Sequence, residues 1–345
     1  MIISRTPFRL SFFGGGTDYP AWFKDHGGAV LATTINKYCY LNCRYLPPFF
    51  KHHTRVVYSK IENVETIDQI AHPAAREILR FLKIERGVEI HHVGDLPARS
   101  GIGSSSAFTV GLLHALYALK GVMPNHARLA REGIQMEQEI LKEVVGCQDQ
   151  VMTAYGGFNH VEFLPNGDFS VHPMTLSAGR MQELNSHLML FYTGIERATP
   201  AVPGSHVPNV NESKRQLRII ADLVNESISV LNSGDLNEFG NLLHEGWMAK
   251  RSMSAQISNP GIDELYAAAR SAGATGGKLT GAGGGGFLML FVPSDRRKAV
   301  RERLSHLIHV PFTFESGGSQ IIFFEPQEEY SPTENRDLHP PVLSP

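Results

Sequence analysis

The feature that most constrains the fold is a glycine- and serine-rich segment, residues 96–107, between two apolar stretches. It reads Leu-Pro-Ala-Arg-Ser-Gly-Ile-Gly-Ser-Ser-Ser-Ala. The apolar patterns on either side predict a strand at 87–93 and a helix at 104–119. Glycine permits tight turns and close approach to a ligand, and serine is favoured at helix N-termini. The segment therefore predicts either a well-capped strand-to-helix turn or an anion-binding loop at a helix N-terminus.

Three consecutive hydroxyl groups, at 104–106, are more than a helix cap requires, which favours the anion-binding loop. The segment differs from two common phosphate loops. No lysine follows Gly103, as the motif G-x-x-x-x-G-K-[ST] requires. The third glycine of the dinucleotide motif G-x-G-x-x-G would fall at Ser106.

A second glycine cluster, Gly-Gly-Gly-Thr-Asp-Tyr-Pro at 14–20, follows a predicted strand at 2–13. Its glycines allow the backbone to approach a ligand closely, and Thr17 and Asp18 supply a hydroxyl and a carboxylate. A carboxylate that accepts two hydrogen bonds suits the hydroxyl groups of a sugar. A hairpin turn with an aspartate cap is the alternative interpretation.

A third cluster, Gly-Gly-Lys-Leu-Thr-Gly-Ala-Gly-Gly-Gly-Gly at 276–286, lies between apolar predicted strands. Glycine-rich segments are often flexible linkers. A linker seldom lies so tightly between two strands, which counts against that interpretation. A further segment, 198–209, contains three prolines and is predicted to be either a lid or a linker.

The three clusters resemble the three motifs of the GHMP kinases, the family of galactokinase, homoserine kinase and mevalonate kinase. The second motif of that family, P-x-x-x-G-L-G-S-S-x-A, matches 97–107 with Ile102 in place of leucine. The first motif, a strand with P-x-R followed by G-x-x-T-D, matches residues 7–18. The third, K-x-T-G-A-G-G-G-G, matches 278–286. Each motif is weakly specific alone, and all three in order are strongly specific.

Two details resemble one branch of that family, which phosphorylates D-glycero-D-manno-heptose 7-phosphate. They are the triple-glycine form of the first motif with Trp22, and the pattern L-L-H-E-x-W-x-x-K-R at 242–251. A packed helix with an aromatic anchor is the alternative interpretation of the second pattern. The resemblance implies an ATP- and Mg²⁺-dependent kinase that acts on the anomeric hydroxyl and makes the 1,7-bisphosphate, for nucleotide-heptose and surface-polysaccharide synthesis. A kinase for L-fucose or galactose, a decarboxylase of the same fold, and a non-catalytic sugar and ATP sensor are the alternatives.

The resemblance also implies roles for individual residues. Asp149, in the form G-x-x-D-Q, would be the catalytic base, although an aspartate there also suits a helix cap. Arg9 would lie beside the transferred phosphoryl group, and Ser105 and Glu137 would hold Mg²⁺. The implied nucleotide-binding residues are Pro97, Gly101, Ile102, Gly103, Ser104, Ser105 and Ser106. The implied substrate-binding residues are Gly15, Gly16, Thr17, Asp18, Gln148, Thr193, Gly194, Gly281, Ala282 and Gly283. The unranked candidates for binding the sugar's own phosphate are Lys37, Arg197, Lys250 and Lys278.

The fold implied by the resemblance is α+β, the GHMP kinase fold. Residues 1–180 would form an N-terminal domain like domain 2 of ribosomal protein S5. Residues 181–325 would form a ferredoxin-like C-terminal domain, with the site in the cleft between the two. The polar, proline-rich residues 326–345 are predicted to be a tail.

Composition limits the partners and the location that we expect. The chain has 345 residues and a formal net charge of −2, so it lacks the basic field that attracts nucleic acid. Its apolar runs are shorter than the ~20 residues of a membrane span, and its first residues predict a strand rather than a signal peptide. Its three cysteines form no C-x-x-C pair, which predicts free thiols. We therefore expect a cytoplasmic monomer or homodimer whose partner is a small sugar phosphate, without nucleic-acid or membrane partners.

Overall fold

The N-terminal half of the chain is built around two long neighbouring strands. The structure is a computed structural model that describes residues 1–47, 49–195 and 212–326. Strand β1 (Ile2–Phe13) pairs antiparallel with β2 (Gly28–Tyr45), with Ile2 opposite Cys43 and Phe13 opposite Leu31. The strands that extend this sheet are β3 (Thr54–Val57), β4 (Ile61–Val64), β5 (Val88–Gly94), β6 (Phe158–Phe163) and β7 (Phe169–Pro173).

The second half contributes a smaller antiparallel sheet. Its strands lie in the order β11-β8-β10-β9. Their bounds are β8 (Leu188–Tyr192), β9 (Gly276–Leu279), β10 (Phe287–Phe291) and β11 (Ile308–Val310). Every residue of β9 and β10 is buried, which agrees with their apolar sequences on both sides of the third glycine cluster.

Two late strands return to the first sheet. Strand β12 (Phe314–Glu315) pairs with β2, and β13 (Gln320–Phe324) pairs antiparallel with β1. Within the described residues the first sheet thus has nine strands, with β13-β1-β2-β5-β3-β4 as its main order. Residues 314–324, which the sequence assigned to the C-terminal domain, therefore lie in the sheet of the N-terminal half. The proposed boundary near residue 180 separates the two sheets but not these strands.

Helices pack against both sheets. Phe12 and Phe13 of β1 meet Phe239 edge to face, with ring centroids 5.5 and 5.0 Å apart, so the two halves share one aromatic core. Apart from the parallel pair of β3 and β5, the strand pairs of the described residues are antiparallel, and the α+β class is confirmed. The helices are α1 (Pro20–His26), α2 (Pro73–Phe81), α3 (Ser104–Leu119), α4 (His126–Ile134), α5 (Gln148–Tyr155), α6 (Ala178–His187), α7 (Lys214–Ser233), α8 (Leu236–Arg251), α9 (Pro260–Ser271) and α10 (Arg297–Arg303).

The central helix α3 is buried on nearly all sides because its sequence is apolar throughout. Gly111 allows it to approach β1 closely, since a Cβ there would lie 2.8 Å from Thr6 Oγ1. Ser4 Oγ donates to Gly111 O over 2.9 Å. This close packing fixes α3 against β1, and the N–H of Arg9 on β1 donates to Ile102 O over 3.0 Å, which holds the glycine- and serine-rich segment at the same strand.

Candidate active site

The glycine- and serine-rich segment forms the predicted loop between β5 and α3. Gly101 and Gly103 have φ values of 82° and 74°, the left-handed region that favours glycine. Gly103 is the N-cap residue of α3, and no side chain caps the helix. The loop is instead held from within, because Ser104 Oγ accepts from the Arg99 N–H and Ser100 Oγ donates to Pro97 O. The first N–H groups of α3 are thus left available, as an anion-binding loop requires.

The third glycine cluster packs backbone to backbone against this loop. A Cβ on Gly281 would lie 2.5 Å from Gly101 Cα, and a Cβ on Gly286 would lie 2.2 Å from Ser100 O. Thr280 Oγ1 also donates to Ser100 O over 3.2 Å, across 180 residues of sequence. The glycines of the two motifs are therefore explained by close contact, which rules against the linker interpretation.

Arg9 and Asp149 form a partly buried ion pair beside the loop. The Arg9 side chain is 4% exposed and that of Asp149 is 23% exposed. Arg9 Nη1 also donates to Gly101 O over 2.9 Å, and a Cβ on Gly103 would lie 3.4 Å from Asp149 Oδ2. The structure thus brings the predicted base, the predicted arginine and the predicted nucleotide loop together.

The predicted sugar loop, residues 14–20, is a tight turn that the side chains of Thr17 and Asp18 stabilise by hydrogen bonds to its backbone. Thr17 Oγ1 donates to Gly14 O over 2.8 Å. Asp18 is 1% exposed, and its two oxygens accept from the N–H groups of Gly16 and Gln148 over 2.9 and 3.2 Å. Burial raises the pKa of Asp18, and the nearby charge of Asp149 raises it further. Asp18 therefore caps this turn and the start of α5, as the alternative interpretation predicted, and also lies near the predicted base.

Two buried polar atoms beside Gly15 have spare hydrogen-bonding capacity. Within the described residues, Ser11 Oγ and Gln148 Oε1 have no hydrogen-bond partner. A Cβ on Gly15 would lie 3.5 Å from both Ser11 Oγ and Gln148 Nε2. Buried polar atoms without partners are unusual in proteins and suit a ligand that supplies hydroxyl groups. Sequence reasoning missed Ser11, and its only signal was a serine on an otherwise apolar part of β1.

Glu137 lies on a π-helical turn, Gln135–Ile140, that continues α4. Such turns are rare and frequent at functional sites. Glu137 is 1% exposed; its Oε2 accepts from Ser106 Oγ over 3.0 Å and from the Gln150 side chain. Burial raises its pKa to about 8, with a further contribution from Glu143. The sequence predicts one helix at 125–143, whereas in the structure α4 ends at Ile134 and the π-helical turn that carries Glu137 follows it.

The hydroxyl group that bonds to Glu137 belongs to Ser106, the neighbour of the predicted metal ligand Ser105. Ser106 is buried and donates to Glu137, whereas Ser105 is exposed. Among the described residues, Glu137 Oε1 is buried and has no hydrogen-bond partner. An unpartnered carboxylate oxygen fits Mg²⁺, which prefers oxygen ligands. The residues present therefore fit the implied metal, with Ser106 as the hydroxyl nearest to the carboxylate.

The end of β8 supports the third glycine cluster. Thr193 Oγ1 donates to Gly286 O over 2.8 Å, while Gly194 is exposed with φ of 68°. Gly283 packs on Ile257, since a Cβ there would lie 2.6 Å from Ile257 O. The predictions for Arg197 and for the segment 198–209 fall outside the described residues.

The pattern L-L-H-E-x-W forms part of α8 and packs inward. Trp247 is buried, and His244 Nδ1 lies 2.8 Å from Tyr266 OH with the two rings stacked. The packed-helix interpretation is therefore sufficient for these two residues.

Comparisons with known proteins agree with this geometry. Residues 69–157 match the family model "GHMP kinases N terminal domain", and residues 227–309 match "GHMP kinases C terminal". The chain belongs to the GHMP kinase family. It is accordingly an enzyme, a kinase, and its fold is the GHMP kinase fold.

Several relatives of this GHMP kinase cover nearly its whole length. It is 27% identical to D-glycero-alpha-D-manno-heptose 7-phosphate kinase of Campylobacter jejuni over 91% of this chain and 97% of that protein. A crystal structure described as a D-glycero-D-manno-heptose 1-phosphate kinase of Bacteroides thetaiotaomicron is similar, with a TM-score of 0.76 and 25% identity. That similarity covers 96% of this chain and all of the other. A galactokinase of Roseiflexus is 25% identical over 89% of this chain and 88% of that protein.

No helix in the described part of the chain has the length and apolar character needed to span a membrane. The three cysteines, Cys39, Cys43 and Cys147, are buried free thiols, as predicted.

Proposed function

We propose that this GHMP kinase transfers the γ-phosphoryl group of ATP to the anomeric hydroxyl of D-glycero-D-manno-heptose 7-phosphate. The product would be the 1,7-bisphosphate, for nucleotide-heptose and surface-polysaccharide synthesis in the cytoplasm. The observation that carries the proposal is the Arg9–Asp149 pair, enclosed by the nucleotide loop above and by the turn of Asp18 at its side. A base and a cation between a phosphate loop and a hydroxyl-binding loop are the parts that phosphoryl transfer needs.

Asp149, Arg9 and the start of the nucleotide loop each have a proposed role in this reaction. Asp149 would orient the sugar hydroxyl and accept its proton, a contribution worth about 10²–10⁴-fold in rate. Arg9 would hold Asp149 in place and offset the charge of the transferred group. Backbone N–H groups at Gly103 and Ser104 would bind the phosphates of ATP.

The metal would be held by Glu137, with a hydroxyl group from the start of α3. Mg²⁺ would neutralise charge on the nucleotide phosphates. Glu137 Oε1 is the buried acceptor without a partner among the described residues, and this supports its assignment as the ligand. Ser105 and Ser106 are both retained as proposed hydroxyl ligands, since Ser106 already bonds to Glu137 and Ser105 is exposed.

The choice of sugar rests on the relative from Campylobacter and on the first glycine cluster. The free polar atoms of Ser11 and Gln148, beside Gly15, support a polyhydroxyl acceptor. The name of the structural relative, a heptose 1-phosphate kinase, favours a second candidate acceptor in which the phosphate is already on the anomeric oxygen.

The test is ADP release by the purified protein with ATP and Mg²⁺. The acceptors are heptose 7-phosphate, heptose 1-phosphate, mannose 6-phosphate, mannose, galactose and fucose. We expect turnover to be highest with heptose 7-phosphate and to be lost in Asp149→Asn. Preference for heptose 1-phosphate or for a free sugar would refute the acceptor, and sugar binding without turnover of any acceptor would refute the kinase assignment of the site.

A further inference from the structure

Lys278, the lysine of the third motif, is a buried cation. The residue is 8% exposed, and its Nζ donates to Phe12 O over 3.0 Å. Among the described residues, no carboxylate oxygen lies within 4.0 Å of this ammonium group. A lysine ammonium has three hydrogens to donate, and burying it without a counter-charge is unfavourable. The arrangement is that of a site completed by an anion.

The positive charges around Lys278 make a bound anion more favourable at this place. Burial lowers its pKa well below the usual value, and the positive charges of Lys250 and Arg9 lower it further. Asp149 neutralises Arg9, but the carboxylate of Asp18 is bonded to two backbone N–H groups and lies beyond salt-bridge distance of Lys278. A second half-buried cation, Lys250, lies close enough to Lys278 to lower its pKa, and the Lys250 Nζ donates to Gly281 O.

Lys278 and Lys250 line one small cleft, with a cavity volume of about 20 Å³. The cleft begins at Gly14 and Gly15 of the sugar loop, and α7 and α8 form its apolar wall. A cavity needs about 10–15 Å³ to hold one water, so this cleft suits one small substituent of a ligand rather than a whole sugar phosphate. The residues of the nucleotide loop, 101–106, do not line it.

The position of Lys37 excludes it from this cleft. Its neighbour Tyr38 pairs with Pro7, whereas Leu31 pairs with Phe13 at the cleft. Six residues of strand separate Lys37 from Leu31, or about 20 Å at the usual rise. Lys37 is therefore too far from the sugar loop to bind the same ligand.

We propose that Lys278 and Lys250 bind the phosphate group that the acceptor sugar already carries, so that the substrate class is a phosphosugar and not a free sugar. This inference rests on the proposed function, since it assumes that the sugar lies at the first glycine cluster. The phosphate of the acceptor, at the cleft beyond Gly15, would then lie away from the hydroxyl that faces Asp149. The two cations would neutralise the dianion and donate charge-assisted hydrogen bonds to its oxygens.

The test measures binding by calorimetry without turnover, so that it does not depend on catalysis. The ligands are mannose 6-phosphate, mannose, heptose 7-phosphate and a non-hydrolysable ATP analogue. The variants are Lys278→Met and Lys250→Met, and Lys37→Met is the matched control. We expect each of the first two to weaken binding of the phosphosugars by roughly 10- to 100-fold. Binding of mannose and of the ATP analogue should stay within about twofold, and Lys37→Met should change nothing.

Three outcomes would overturn the inference. One is equal loss of phosphorylated and free sugars in both variants. Another is loss of the ATP analogue with phosphosugar binding retained, which would assign the lysines to the nucleotide. The third is a wild-type protein that binds mannose as tightly as mannose 6-phosphate. If Lys278→Met does not fold, Lys250→Met alone decides, because Lys250 is only half-buried.

The result is distinguishable from failure of the proposed function. A wild-type protein that binds phosphosugars through the two lysines, yet releases no ADP with any acceptor, would refute the kinase proposal and support this inference. Turnover of free sugars alone would support the kinase proposal and refute the inference that the two lysines bind the phosphate of the acceptor. The melting temperature of the ligand-free Lys278→Met variant is an independent readout. It should rise, because methionine removes a buried charge while it retains volume.

Discussion

Arg9 and Asp149 are joined by two hydrogen bonds across 140 residues of sequence. Nε donates to Oδ1 over 2.6 Å and Nη2 donates to Oδ2 over 2.7 Å. Because Nη1 of the same guanidinium donates to Gly101 O, one side chain fixes both the proposed base and the nucleotide loop. Such a planar fork to a carboxylate is a geometry that arginine provides and lysine does not.

Arg9→Lys should therefore reduce kcat even though the charge is kept. We expect a loss of about 10²-fold, since the base would no longer be held in one orientation. Asp149→Asn should reduce kcat by about 10²–10⁴-fold. Asp149→Asn should keep the Kd for ATP close to that of the wild type, whereas Arg9→Lys should raise it, because the hydrogen bond from Nη1 to Gly101 O is lost. Steady-state kinetics and nucleotide titration measure these quantities, and an unchanged kcat in Asp149→Asn would show that another group is the base.

Gly281→Ala tests the contact between the two glycine loops. A Cβ at Gly281 would lie 2.5 Å from Gly101 Cα, so the loops must separate and the KM for ATP should rise. Gly121→Ala is the matched control, because Gly121 has nearly the same φ, 70° against 71°, and no atom within 4 Å of its added Cβ. The control should lose about 1 kcal/mol of stability from backbone strain, and its kinetics should not change. Equal kinetic effects would refute the contact argument.

Glu137 should make the affinity for Mg²⁺ depend on pH. Its pKa is raised to about 8, so the ligand-free protein holds it protonated at neutral pH and must release that proton to bind the metal. The activating Mg²⁺ concentration should fall roughly tenfold for each pH unit from 6 to 8 and then level off. Glu137→Gln should remove this dependence, and Glu139→Gln, an exposed neighbour on the same turn, should keep it. A flat profile in the wild type would contradict the assignment.

The stability of the ligand-free protein should respond to the same group. A carboxyl group with a raised native pKa stabilises the fold below its unfolded value near 4.5, and this contribution is lost as pH rises through about 8. Glu137→Gln should therefore be more stable than the wild type at pH 8 and above, as measured by urea unfolding without metal. A lower stability there would mean that Glu137 has a counter-charge in the ligand-free state.

Ser106→Ala and Ser105→Ala separate the two serines. Ser106 donates to Glu137 and so favours the ionised carboxylate, and its loss should move the midpoint of the Mg²⁺ profile to higher pH. Ser105→Ala should leave that midpoint in place. If Ser105→Ala alone raises the required Mg²⁺ concentration, the ligand inferred from the motif is correct and Ser106 is only a support for Glu137.

His114 should account for part of the loss of stability in acid. Burial lowers its pKa to about 4, and its Nδ1 lies 3.0 Å from Ser319 Oγ. Because the native pKa is depressed, its contribution is present above pH 6.5 and is lost as pH falls through about 4, by up to about 3 kcal/mol. His114→Gln should flatten the stability curve between these values, as followed by urea unfolding. A curve that stays as steep would refute this role.

The sequence predicted elements whose signals are local. Helix α3 has the predicted bounds, 104–119, because glycines and serines precede an apolar run. The sequence also predicts a hairpin at 156–173, because Asn166 and Gly167 are typical of a hairpin turn. The structure has this hairpin as β6 and β7. The helical period of the sequence also predicts helices at 236–250 and 261–272. The bounds of α8 and α9 agree with them within one residue.

Elements that depend on contacts with distant parts of the chain could not be predicted from the sequence. Helix α6 was missed because its sequence has weak periodicity, and Arg180 ties it to the end of α7. The apolar pattern predicts a helix at 294–307, but α10 ends at Arg303. Strand β11 follows it because this segment pairs with β8. In the site, the motif located the serines and Glu137, but only the π-helical turn decides which hydroxyl Glu137 meets.

The return of β13 to β1 has a consequence for how the protein is made. Arg5 on β1 bonds to Gln320 beside it, and 315 residues separate the two along the chain. At a synthesis rate of about 5–20 residues per second, the outer edge of β1 stays unpaired for roughly 15–60 s after it leaves the ribosome. The nascent first sheet thus has an open apolar edge until the last strand emerges. A premature stop before residue 320 would leave that edge permanently open, so such truncated chains should aggregate rather than accumulate as folded N-terminal halves.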